Sequence, residues 1–122
     1  MASRRMRFAL ALGLVLVLAT GGVMTASTAE QQALNAEREH ITNRLDDATC
    51  LDEWGVDAGT VRKSARVTRV TARGVRVRVT MPYAYRVEQD GEPLFADTAS
   101  DATYVVSLRG AHRMSGDRIE PC

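Results

Sequence analysis

The side chains with the most obvious chemistry form one run of cations. Between Asp57 and Glu88 the sequence has no acid, yet Arg62, Lys63, Arg66, Arg69, Arg73, Arg76, Arg78 and Arg86 all lie there. A guanidinium group is a permanent charge with forked donors that match carboxylate and phosphate oxygens. Two readings follow. In the plainer one, strands from the acidic C-terminal part lie alongside and pair the arginines with Asp97, Asp101 or Glu88, at a few tenths of a kcal/mol per pair. In the sharper one, Arg62, Arg66, Arg69, Arg73, Arg76 and Arg78 form an anion-facing patch. An anionic lipid surface or an acidic envelope polymer would then be attracted at about 1 kcal/mol per nearby arginine. Nucleic acid is not an expected partner, because Gly55 to Pro82 contains no aromatic residue on which a base could stack.

Other chemistry is absent from the sequence pattern. His40 and His112 stand far apart without H-E-x-x-H or a Cys/His cluster, so no metal site is expected. Neither G-x-S-x-G nor a phosphate-binding glycine loop occurs, and no cofactor is expected. The acid pairs Asp46-Asp47 and Asp52-Glu53 are sequence neighbours that read as solvated connector. No catalytic residue is assigned, and the chain is read as a non-enzyme.

Cys50 and Cys122 are the only cysteines. In an exported chain an even count favours a disulfide, and closing a loop this long would add roughly 4 kcal/mol on the chain-entropy model. Trp54, the single tryptophan, is expected to pack near that bond.

The elements that would position these groups follow from periodicity. Residues 28–48 read as one amphipathic helix, with Thr28 as its cap, Gln31 as reciprocal partner and an apolar stripe of Leu34, Ile41, Leu45 and Ala48. Glu37, Arg38, Glu39 and Arg44 fall off that stripe. Residues 49–59 read as an acidic connector. From 60 to 122 the period becomes two. Val75, Val77, Val79 and Met81 alternate with Arg76, Arg78 and Thr80, and Arg66–Thr71 is the partner strand. Ala72-Arg73-Gly74 turns between them, with Gly74 at positive φ. The spacing of Val67 and Val70 predicts a bulge. Tyr83–Glu88 extends the sheet, Gln89-Asp90-Gly91-Glu92 turns, and Leu94–Ala96 and Thr103–Leu108 add strands, after which Arg109–Cys122 returns to the disulfide. The expected fold is α+β: one helix on an antiparallel sheet of four or five strands.

The N-terminal part belongs to a different environment. Phe8 through Ala29 carries no charge and follows Arg4, Arg5 and Arg7. Its leucine-rich core favours membrane insertion by roughly 2–5 kcal/mol. A basic start, an apolar core, Gly21-Gly22 and the small residues Ser27 and Ala29 fit a cleaved signal. Residues 8–26 would also span about 28 Å as a helix, enough for a permanent transmembrane anchor. Both alternatives stand, and both give residues 1–29 to targeting and residues 30–122 to one small extracytoplasmic domain, with the arginines holding the N-terminus inside. That domain has 13 basic and 15 acidic residues, so the patch is a local feature of a mildly acidic module.

The expected function is that of an exported or membrane-anchored envelope protein that contacts another protein or the cell surface. The anion-binding hairpin is the alternative. The layout of apolar segment, amphipathic continuation, antiparallel sheet and C-terminal disulfide also resembles that of type IV pilin-like proteins, which implies a pilin-like envelope subunit. The signal of that family has an acidic residue at the start of its apolar segment, whereas residues 1–29 contain no acid.

Overall fold

The computed structural model describes residues 15–17 and 23–122. Most of the apolar N-terminal segment, and with it the expected signal or transmembrane helix, lies outside the described residues. Within it, β1 (Val15–Val17) pairs antiparallel with β2 (Val23–Thr25). No helix among the described residues is long and apolar enough to cross a membrane.

Next comes α1 (Ala26–Asp47), then β3 (Leu51–Val56), β4 (Ser64–Thr71), β5 (Gly74–Gln89), β6 (Glu92–Ser107) and β7 (Gly110–Gly116). The fold is α+β, with α1 packed on a five-stranded antiparallel sheet. Strand β5 is the organising element. One edge pairs along its full length with β6, and β6 pairs with β7. The other edge is shared: β4 takes Gly74–Thr80 and β3 takes Tyr83–Val87. Pro82 sits where β4 gives way to β3, so no ladder bond needs the N–H it lacks. Its carbonyl accepts from Asp57 N at 2.8 Å.

The helix starts two residues earlier than its sequence signals suggest. Thr25 is the cap, its Oγ1 accepting from Thr28 N at 3.1 Å, so Thr28 supplies the capped N–H and not the cap. The buried positions are Ala29, Ala33, Glu37, Ile41 and Leu45, one every four residues. The small residues bring the first half of the helix close to the sheet. Ile41 and Leu45 fill the space over Val75, Val77, Val79 and Met81, all fully buried, at about 1.5–3 kcal/mol per large side chain removed from water.

The alternation and turns of the β region are as read. The bulge falls between Val67 and Arg69, opposite Val77 and Arg76. It places Val67 and Val70 on the same face, opposite Val77 and Val75, which accounts for their odd spacing. Gly74 has φ of 144°, and a Cβ there would stand 2.5 Å from the Val106 carbonyl oxygen. Asp90 and Gly91 both have positive φ, the type I′ turn that suits a right-twisted hairpin.

Four boundaries differ from expectation. The connector 49–59 contains β3. The segments around Pro82 are one strand, and so are Leu94–Ala96 and Thr103–Ser107, joined through Asp97–Ala102, with Leu108 in the turn that follows. Cross-strand pairing along all of β5 overrides the weak β propensity of that acidic, alanine-rich stretch. Residues 110–116 form β7. The rest of the tail is pinned by Asp117 N to the Asp101 carbonyl at 2.9 Å, by Arg44 Nε to the Ile119 carbonyl at 3.4 Å, by burial of Ile119 and by the Cys50–Cys122 disulfide. Such a bond is compatible with an extracytoplasmic location. Trp54 lies opposite Tyr85 on β3 and is 38% exposed.

Candidate functional site

The helix covers one face of the sheet only. On the opposite, solvated face the register brings arginines together. Arg66 is opposite Arg78, and past the bulge Arg69 is opposite Arg76. Opposed residues share a face, so these four form a lattice about 5 Å across the strands and about 7 Å along them. Rows continue across β6 and β7 as Arg76–Val105–His112 and Arg78–Thr103–Ser115. Arg73 extends the lattice from the β4–β5 turn. Arg62 is not part of it, lying in the loop before β4.

Neutralisation by the C-terminal acids, the plainer expectation, is not what the structure contains. Asp97 accepts from Thr60 N and Oγ1, and Asp101 accepts from Thr80 Oγ1. Among the described residues none of Arg62, Arg66, Arg69, Arg73, Arg76 and Arg78 has a carboxylate within 4.0 Å. Asp57 and Asp52 are held by other cations. Asp57 takes Lys63 at 2.8 Å and Arg38 at 3.3 Å. The Lys63 hydrogen bond is the chief cause that holds its carboxyl below the usual range. Arg86, farther along β5, has Asp52 at 3.5 Å and lies 6.0 Å over the Phe95 ring. The lattice is therefore two directly opposed like-charge pairs with no carboxylate within 4.0 Å, an arrangement that lowers stability by up to about 1 kcal/mol per pair. In addition, the Nε–H of Arg76 is buried with no acceptor among the described residues.

A second polar cluster lies under the helix. Glu37 is fully buried. Its carboxylate accepts from Ser100 Oγ at 2.6 Å, Tyr104 Oη at 2.7 Å, Arg113 Nε at 2.9 Å and Arg113 Nη2 at 3.2 Å. Burial alone would push the carboxyl up, but the hydrogen bonds from Arg113, Ser100 and Tyr104 outweigh it and hold the pKa below the ordinary value. Burial, then the Glu37 contact, pushes the Tyr104 hydroxyl up. Burial and the nearby Arg113 push the His40 imidazole down. The sequence reading put Glu37 off the apolar stripe. It lies on it because Arg113 on β7 completes its coordination. With both carboxylate oxygens doubly bonded, this cluster ties α1 to β6 and β7 and offers nothing to an external substrate.

Among the described residues no group of three His, Cys, Asp or Glu side chains converges as a metal site requires. Two residues near the lattice escaped sequence reasoning. Arg109, in the β6–β7 turn, and His112, on β7, reach it only through the strand register. Fold and site define a class: an α+β domain with one sheet face under a helix and the other carrying an arginine lattice that has no carboxylate within 4.0 Å among the described residues. Comparison with protein-family models, curated proteins and solved structures finds no match for this chain.

Proposed function

We propose that this chain is a non-enzymatic, extracytoplasmic interaction module, exported or anchored through residues 8–26, that docks the open face of its sheet on an anionic lipid surface. The supporting observation is the lattice of Arg66, Arg69, Arg76 and Arg78 with no carboxylate in reach. A flat array of permanent charges on a solvated sheet gains from a surface that repeats negative charge, at about 1 kcal/mol per arginine. Lipid is favoured over a soluble polymer by position. The apolar stretch runs into Ala26, the first residue of α1, so a membrane engaged by it lies beside the domain.

The test is partitioning of the full chain onto phosphatidylglycerol-containing vesicles, with Arg76→Ser/Arg78→Ser alongside so that the apolar segment contributes equally to both. Losing two arginines should weaken docking by about 2 kcal/mol, roughly 30-fold. The difference should shrink as the Debye length falls with added salt. Equal partitioning of the two proteins at low salt refutes the reading, as does preference for a soluble acidic polymer over the vesicles.

A further inference from the structure

The arginine lattice ends in a built concavity. The register of β5 with β6 sets Val75 opposite Val106, so the β4–β5 and β6–β7 turns lie at the same end of the sheet. Between them is a hollow of about 560 Å³, its lining including Arg73, Arg76, Arg109 and His112 with the apolar Val105 and Met114. We propose that this hollow is a binding site for a doubly charged phosphate group, a phosphomonoester or diphosphate. The proposal rests on the anion-binding reading of the open face and names the ligand chemistry of one part of it.

Three features point to a phosphate. First, three arginines from separate positions, two turns and one strand, line the hollow together with an imidazole, and no acid lines it. A single carboxylate would leave most of that charge uncompensated. A tetrahedral dianion presents oxygens in several directions and can meet more than one guanidinium fork. Second, donors are unused. The buried Nε–H of Arg76 lacks an acceptor. Ser107 Oγ accepts from Arg109 N at 3.1 Å, which leaves its own proton to donate. Third, part of the lining is apolar, so charge-assisted hydrogen bonds formed beside Val105 and Met114 are screened less than on a wholly polar surface. Lattice positions nearer Thr80 lack this geometry: Arg66 and Arg78 line a smaller hollow of about 190 Å³ with Ser64, Ala65 and Thr80.

The test is calorimetric titration of the full chain with inorganic pyrophosphate, comparing Arg109→Ser with Arg66→Ser. Each variant removes one positive charge from the open face, but only Arg109 lines the hollow. Saturable one-to-one binding is expected. It should weaken about tenfold or more in Arg109→Ser and change by less than about threefold in Arg66→Ser. No saturable binding, or equal losses in the two variants, overturns the site. If pyrophosphate fails while wild-type docking on phosphatidylglycerol vesicles persists, only this site is lost; if both fail, the broader reading falls with it. Vesicles carrying phosphatidic acid then separate the ligand sources. Displacement of bound pyrophosphate by those vesicles assigns the group to a lipid headgroup, and pyrophosphate retained in their presence assigns it to a soluble phosphate.

Discussion

Replacing Glu37 with leucine should destabilise this domain more than replacing any of its surface acids. The carboxylate is fully buried and accepts four hydrogen bonds, from Ser100, Tyr104 and twice from Arg113. Leucine removes the charge and strands those donors. Breaking a buried pair by deleting one partner costs about 3–5 kcal/mol. The lower end applies here, because the Arg113 side chain keeps 21% exposure and retains a bond to the Asp117 carbonyl at 2.9 Å. About 3 kcal/mol is a large part of the roughly 5–10 kcal/mol expected for a domain of this size. Glu37→Leu combined with Arg113→Leu should be less damaging than the sum of the single changes by about 1–2 kcal/mol, since no charge is then stranded. Urea unfolding followed by the fluorescence of Trp54, the only tryptophan, measures all of these. A Glu37→Leu protein within about 1 kcal/mol of wild type, or strictly additive single changes, would refute the view of this cluster as a paired, desolvated tie.

Other outcomes follow from the same structure. Cys50→Ser opens a loop with a sequence separation of 72 and should lower stability by about 4 kcal/mol, read as a shifted urea midpoint; a shift under about 1 kcal/mol would mean the tail is held without the bond. Acid should destabilise in two windows. His40 has a folded pKa depressed from 6.5 and Glu37 one depressed from 4.5, so the unfolded chain binds more protons in each window. Stability is therefore complete above about pH 6.5 and falls first as His40 and then as Glu37 is forced to protonate, with His40→Phe removing the first step in a pH series of melting curves. Gly74→Ala should cost at least about 1 kcal/mol, because alanine at φ of 144° would drive its Cβ against the Val106 carbonyl, while Gly91→Ala, with nothing within 4 Å, should cost less.

Local patterns made the sheet legible. The valine-arginine alternation of β5, the Val67/Val70 spacing and Asp90-Gly91 each act over two to four residues, so sequence alone resolves them. What stayed hidden depends on partners far along the chain. Glu37 reads as a solvent-facing helix acid until Arg113 is placed beneath it. Strand β3 hides in an acidic stretch because its burial pattern comes from lying against Tyr83–Val87. Asp97 and Asp101 carry the sign needed to neutralise the arginines, but the β5–β6 register sets them beside Ala84 and Thr80. Arg109 and His112 join the lattice through that same register.

A shortage of acids does not explain the bare lattice. The domain has more carboxylates than cations, and those that pair with cations do so away from the lattice: Asp57 on Lys63 and Arg38, Asp52 on Arg86, Glu37 on Arg113. Neighbouring residues show the contrast most directly. Tyr104 faces inward, opposite Arg113, in a cluster whose carboxylate is fully satisfied, while Val105 faces outward between Arg76 and His112, where no acid comes within an ion-pair distance of the arginine. The chain thus completes the charge it buries and leaves the arginines of its open face without a directly paired carboxylate among the described residues. Opposed arginines there work against folding, and a bound anion would reverse the sign of that contribution. Urea unfolding with and without pyrophosphate can therefore detect ligand binding as a gain in stability, and that gain should disappear in Arg73→Ser/Arg109→Ser.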